Sequence, residues 1–123
     1  MADTDSTQPP AAAPVRVAPR ALVTLSPTPR RGEPFEVRAL VAHPMETGLR
    51  VDALGRKVPR DIVRRIEARL EGELVFAADL HQSIAANPYL VFPLVAQSDG
   101  TLVVSWVGDR GFAHSVNVAL KLR

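Results

Sequence analysis

No cysteine occurs anywhere in the 123 residues. That excludes disulfides, thiolate nucleophiles, iron–sulfur clusters and thiolate metal sites together. Aromatics are scarce, with four Phe, one Trp and one Tyr, and the formal charge is only +2. A nucleic-acid surface needs a dense basic stripe with aromatics set among it, so neither nucleic acid nor an anionic membrane is an expected partner. Long apolar runs are missing too: none reaches the ~18 residues needed for membrane insertion. The opening MADTDSTQPPAAAPVRVAPR lacks a secretory pattern. Asp3 and Asp5 stand where a basic start belongs, and Pro9, Pro10 and Pro14 break any apolar run. Export would need a signal carried by something else.

Catalytic apparatus is equally sparse. The three histidines, His43, His81 and His114, match no compact ligand spacing, and without cysteine they are too few for a mixed metal centre. No serine sits in a nucleophile elbow, and Ser105 and Ser115 are expected to face outward on strands. Glycine patterns for phosphate or dinucleotide binding are absent. The expectation is therefore no catalytic residue, no metal site and no cofactor.

What is present is a globular core, with 46% hydrophobic and 23% charged residues. Residues 1–19 are rich in Ala, Pro, Ser and Thr with almost no large apolar groups, which reads as a flexible tail. Residues 20–123 read as one domain of short strands separated by turn residues. Ala21 to Leu25 precedes the turn-rich SPTPRRGEP, and Phe35, Val37, Ala39 and Val41 then alternate with Glu36 and Arg38. Thr101 to Val107, the tight GDRG and a last strand with Phe112, Val116, Val118, Leu120 and Leu122 on one face complete the series. His114 falls on that apolar-facing phase. Ser83 to Pro88 reads as one helical turn, and Pro93 marks Tyr89 to Ala96 as an edge or bulged strand. The expected fold is all-β, a sandwich or barrel.

Arg60 to Leu80 supports two readings. Asp61 as N-cap and Ile62, Ile66 and Leu70 at helical spacing favour a helix. A three-residue loop at Glu71-Gly72-Glu73 instead makes a hairpin, with Leu70 opposite Leu74, Ala68 opposite Phe76 and Ile66 opposite Ala78. That register sets Arg65 against Asp79 as a cross-strand ion pair, which a two-residue turn would destroy. The hairpin is the preferred reading.

Two features remain. Arg56, Lys57, Arg60, Arg64, Arg65 and Arg69 form either a solvated, salt-bridged surface with Glu67, Glu71 and Asp79 or a shallow patch for small anions or an acidic partner. The segment AHPMETGLRVDALGRKVPRDI, from Ala42 to Ile62, is too rich in Pro, Gly and charge for one regular element, yet it keeps apolar residues at intervals. A connection of that length is either functional or a packed crossover closing one end of the sandwich.

That segment also resembles a known family. His43-Pro44-Met45-Glu46-Thr47-Gly48, followed by Arg50, Asp52, Gly55 and Val58-Pro59-Arg60, is similar to the signature of SoxZ, the Z subunit of the bacterial SoxYZ sulfur-carrier complex. Arg31-Gly32-Glu33, Phe76 to Leu80, Ala85 to Tyr89, Gly100 to Leu102 and Trp106 fall in the family's order, so the resemblance spans about residues 20–123. It implies an immunoglobulin-like β-sandwich of about seven strands, and it favours the hairpin for Arg60–Leu80. It implies a non-catalytic subunit in thiosulfate oxidation, paired with a SoxY-like subunit whose cysteine bears the sulfur intermediates, and transient contact with the other sulfur-oxidation enzymes. It implies a periplasmic location, reached by co-export with a signal-bearing partner. The expected partner-facing rim is His43, Pro44, Met45, Glu46, Thr47, Gly48, Leu49, Arg50, Arg56, Lys57, Arg60 and Tyr89, with Met45, Leu49 and Tyr89 as anchors. The alternatives are an immunoglobulin-like module with another partner and a small metal-dependent redox enzyme on a similar sandwich.

Overall fold

A computed structural model describes residues 20–123; the expected tail, residues 1–19, lies outside the described residues. Seven strands form the chain in order: β1 (Ala21–Ser26), β2 (Phe35–Val41), β3 (Val63–Leu70), β4 (Glu73–Asp79), β5 (Tyr89–Leu94), β6 (Gly100–Gly108) and β7 (Ala113–Leu120). They make two antiparallel sheets, β1-β2-β5 and β4-β3-β6-β7. The architecture is the expected all-β sandwich.

Period-2 patterning sets which side of each strand turns inward. Phe35, Val37, Ala39 and Val41 of β2 are buried while Glu36, Arg38 and Leu40 between them are exposed. From the facing sheet come Ile66 and Ala68 of β3, Leu102, Val104 and Trp106 of β6, and Leu120 of β7. Phe76 of β4 and Phe92 of β5 stack across the sandwich with ring centroids 3.9 Å apart and planes within 3°. Met45, Ile62, Leu80 and Ala96 seal the core from the connections. Pro93 sits on β5, an edge strand of its sheet, where the N–H it lacks is least missed.

The hairpin β3–β4 forms, with one change from expectation. Arg65 pairs with Asp79, Ile66 with Ala78 and Ala68 with Phe76, but Arg69 pairs with Leu74 and Leu70 with Glu73. The loop is therefore two residues, Glu71 and Gly72, both left-handed at φ 50° and 82°. Such a turn matches the twist of the strands it joins. A bulge with Val75 as the extra residue then restores the register, so the Arg65–Asp79 ion pair survives at 2.9 Å. A two-residue turn does not destroy that pair when a bulge follows it. The expected helical turn at Ser83–Pro88 is also corrected: His81 to Ile84 makes a simple turn closed by Ile84 N–H to the His81 carbonyl at 3.0 Å, and residues 83–88 form no helix.

Candidate functional site

The connection from β2 to β3 divides into a buried root and an exposed tip. In the root, His43 N–H donates to Asn87 Oδ1 at 2.9 Å, and Asn87 N–H donates back to the His43 carbonyl at 2.8 Å. The His43 ring is buried, edge-on to Phe112 with centroids 4.9 Å apart. Its Nδ1 accepts the Met45 N–H at 3.0 Å, which places the ring proton on Nε2, 3.6 Å from Asp61 Oδ1. Met45 takes a left-handed backbone, φ 53°, and turns its side chain inward, where Sδ accepts the Val63 N–H at 3.2 Å. Glu46 and Asp61 exchange both backbone hydrogen bonds at 2.8 Å, closing the root as a one-bridge ladder. Gly48 follows at φ +89°, where a Cβ would also meet the Arg60 Cβ at 3.1 Å. A side chain there is disfavoured by both backbone and space.

The tip is a small hairpin, Leu49 to Val58. Val58 N–H donates to the Arg50 carbonyl at 2.9 Å, and Val51 bridges Lys57. Asp52 organises the turn: Oδ1 accepts the N–H groups of Leu54 and Arg56 at 2.9 and 3.0 Å, and Oδ2 takes Arg56 Nε at 3.2 Å. The backbone N–H of Arg56, more than its guanidinium, holds this carboxyl below its usual range. Arg50 grips Glu46 with two hydrogen bonds, 3.0 and 2.8 Å, and lowers that carboxyl likewise. With Glu46, Arg50, Asp52 and Arg56 paired among themselves, the tip presents apolar side chains beside Lys57: Leu49 and Leu54 are 74% and 75% exposed.

The structure therefore sorts the expected rim. His43 and Met45 are corrected from surface to interior, because the root uses them to satisfy its own backbone. Pro44, Leu49, Arg50, Arg56, Lys57 and Arg60 are exposed, while Glu46, Thr47 and Gly48 are half-buried. The basic residues do not pool into one patch. Arg50 is spent on Glu46, Arg56 on Asp52, and Arg60 on Asp109, whose carboxylate it grips at 2.8 and 2.8 Å. Lys57 has no carboxylate partner among the described residues.

Tyr89 lies elsewhere, on the outer face of β1-β2-β5, in company that sequence reasoning missed. Leu22, Leu40 and Tyr89 are in register across the three strands, and Val91 sits one step along β5 opposite Arg38. Leu22, Tyr89 and Val91 are each about half exposed, and Leu40 somewhat less. An open groove of about 320 Å³ runs off this row, lined by Arg20, Ala21, Leu22, Leu40, Ala42 and Asn87. Asn87 also anchors the loop root, so the groove borders it. The signal was available: Leu22 and Leu40 are apolar residues on the outward phase of their strands.

The histidines are scattered in role, with His43 buried, His114 half-buried beside Trp106 and His81 exposed. Among the described residues no three His, Cys, Asp or Glu side chains gather as a metal-holding group, and no helix is long and apolar enough to cross a membrane.

Solved structures with other descriptions share this fold. A superoxide reductase (neelaredoxin) from Ignicoccus hospitalis superposes with a TM-score of 0.64 at 19% identity, over 84% of this chain and 80% of that one. A hypothetical protein from Pyrococcus horikoshii OT3 gives 0.53 at 18% identity, over 82% and 85%. At such identities the likeness is one of fold alone. No curated protein sequence matches. The family model described as sulphur oxidation protein SoxZ matches residues 23–119, which runs from β1 to β7 and takes in both sheets and the whole β2–β3 connection. The chain belongs to the SoxZ family of sulphur oxidation proteins.

Proposed function

We propose that this chain is the non-catalytic half of a heterodimeric sulfur carrier in thiosulfate oxidation. It seats a cysteine-bearing Y subunit on the outer face of β1-β2-β5. The observation that carries the reading is the exposed row Leu22–Leu40–Tyr89 with Val91. Apolar side chains aligned across a sheet face form a contiguous patch, and such patches on small proteins mark binding surfaces. Tyr89 is the natural anchor, since its ring adds large area at low entropy cost and its hydroxyl can stay hydrated. The chain has no cysteine, so covalent sulfur chemistry belongs to the partner. The Leu49–Val58 tip, with Leu49 and Leu54 exposed, is a second contact, either to the Y subunit or in passing to enzymes that process its cargo. The complex works in the periplasm.

The test is co-expression with the neighbouring Y-type subunit, followed by size exclusion with mass detection. The expected result is a one-to-one complex with sulfur adducts confined to the partner's cysteine. A chain that stays alone, beside a partner that loads sulfur without it, would overturn the reading in favour of a binding module for another protein.

A further inference from the structure

Between the loop's return and the hairpin lies a second cleft, of about 190 Å³, lined by Arg60, Ile62, Arg64, Asp79, Leu80, His81 and Gln82. Two guanidinium groups converge at its edge on one carboxylate. Asp109 Oδ1 takes Arg60 Nη2 at 2.8 Å and lies 3.2 Å from Arg64 Nε, while Oδ2 takes Arg60 Nε at 2.8 Å and the Ile62 N–H at 3.2 Å. One negative charge thus serves two positive ones. The other carboxylate in the cleft, Asp79, is engaged by Arg65 at 2.9 Å. Among the charged groups lining the cleft itself, Arg60 and Arg64 outnumber Asp79 by one.

The two arginines are not equivalent. Arg60 is locked by its paired hydrogen bonds. Arg64 makes only the 3.2 Å charge contact and a long, 3.5 Å hydrogen bond from Nη2 to the Gly108 carbonyl, so most of its N–H groups are unused. Its position is itself unusual. Val63 pairs with Gly108 and Arg65 with Val107, which leaves Arg64 as the extra residue of a bulge on β3. Bulges re-aim a side chain out of the regular alternation and are common beside functional sites. Beneath the arginines, Ile62 and Leu80 are buried and apolar, which lowers the local dielectric and strengthens attraction to an anion.

We infer that this cleft binds one small sulfur oxyanion, held chiefly by the free N–H edge of Arg64 and supported by Arg60. A guanidinium presents paired donors at the spacing of two oxygens on a tetrahedral oxyanion. The choice of sulfur oxyanion over phosphate rests on the family's place in sulfur oxidation; the site itself rests on the cleft. Gln82 is tied by its Nε2 to the Thr47 carbonyl at 3.2 Å. An occupied cleft would thereby also touch the loop root.

The test is an amide-shift titration of the full-length, isotopically labelled chain with sodium sulfate, at constant ionic strength kept with sodium chloride. Saturable shifts are expected at Ile62, Arg64, His81 and Gln82, with an apparent Kd of about 1–10 mM, an affinity fitting a few exposed charge-assisted contacts. Sodium thiosulfate should compete at the same amides. Arg64→Gln should weaken the response at least tenfold, Arg64→Lys should fall between, and Arg69→Gln, an equal charge change further along β3, should alter it less than twofold. Linear shifts without saturation, or equal losses in Arg64→Gln and Arg69→Gln, would reduce the cleft to general surface charge and overturn the inference. Equal or tighter binding of inorganic phosphate would overturn the assignment to sulfur oxyanions. Because Arg60 keeps its grip on Asp109 in both Arg64 variants, thermal unfolding should show them folded; if they are not, the wild-type titration still decides. A one-to-one complex with the Y subunit and no sulfate response would remove this inference alone, and the reverse result would remove only the proposed partner.

Discussion

The two sheets of the sandwich share one core but present opposite outer faces. On β4-β3-β6-β7 the outward side chains of β3 are Arg65, Glu67 and Arg69, joined to one another and to Asp79 by hydrogen-bonded ion pairs of 2.8 to 3.2 Å. Beside them stand small polar groups such as the directly paired Ser105 and Ser115. On β1-β2-β5 one ion pair, Arg38–Glu36 at 3.1 Å, lies next to the apolar row of Leu22, Leu40 and Tyr89. The first face satisfies its charges internally, with Val107 as an exposed apolar side chain beside Arg65. The second leaves apolar area in water, which a partner would remove at roughly 25 cal/mol per Å². Two antiparallel sheets thus differ in their outer faces, one charged and self-paired and one with an exposed apolar row, according to the residues on the outward phase.

Four predictions break or sharpen that contrast. The largest effect belongs under both faces: Met45→Ala removes a buried side chain and the sulfur that accepts the Val63 N–H, so stability to urea should fall by about 2–5 kcal/mol. Affinity of the folded chain for the Y subunit should stay within twofold; a large affinity loss in folded protein would return Met45 to the interface. Next, Leu40→Glu with Tyr89→Glu should weaken the heterodimer by about 100-fold or more, because two charges would be buried against an apolar partner. Ser115→Glu on the opposite face should change the same Kd less than twofold, and the reverse pattern would exchange the roles of the sheets. Third, Val91→Ala should weaken the complex by roughly fivefold, the size of about 1 kcal/mol for a trimmed apolar contact at an interface.

The smallest effect tests the charged face. The Arg65 hydrogen bond, with help from Arg69, holds Glu67 below its usual carboxyl range. Its folded pKa is depressed, so the stabilisation is present above the unfolded value near 4.5 and is lost as pH falls through the lower folded value. Glu67→Gln should therefore lower the thermal midpoint slightly at pH 7 and not at all at the acid end, with partner affinity unchanged. A midpoint difference that persists at low pH would point to packing, not charge.

Much of the architecture could be read directly from the sequence. The alternation of Phe35, Val37, Ala39 and Val41 identified the core side of β2, and Pro93 marked an edge or bulged strand, of which the structure has the edge, because strand periodicity and the missing N–H act within a few residues. The pairing of Arg65 with Asp79 was also legible, but the turn that makes it was not. Its register depends on a bulge at Val75, whose cost and benefit are set by neighbouring strands. From sequence alone His43 and Met45 read as surface members of a motif. Nothing local distinguishes a residue that meets a partner from one that serves its own chain, when Met45 caps the Val63 N–H 18 residues away and the His43 ring packs on Phe112.

The sequence by itself determined the strand phases, the absence of thiol chemistry and the family signature, since these depend on residue type and short spacing. Only the tertiary structure decided which cations are free. Arg60 and Arg64 meet Asp109 across 49 and 45 positions of chain, and Leu22, Leu40 and Tyr89 become one surface only once three strands align. Charge balance and apolar area are properties of neighbours in space, and those neighbours are chosen by the sheet register.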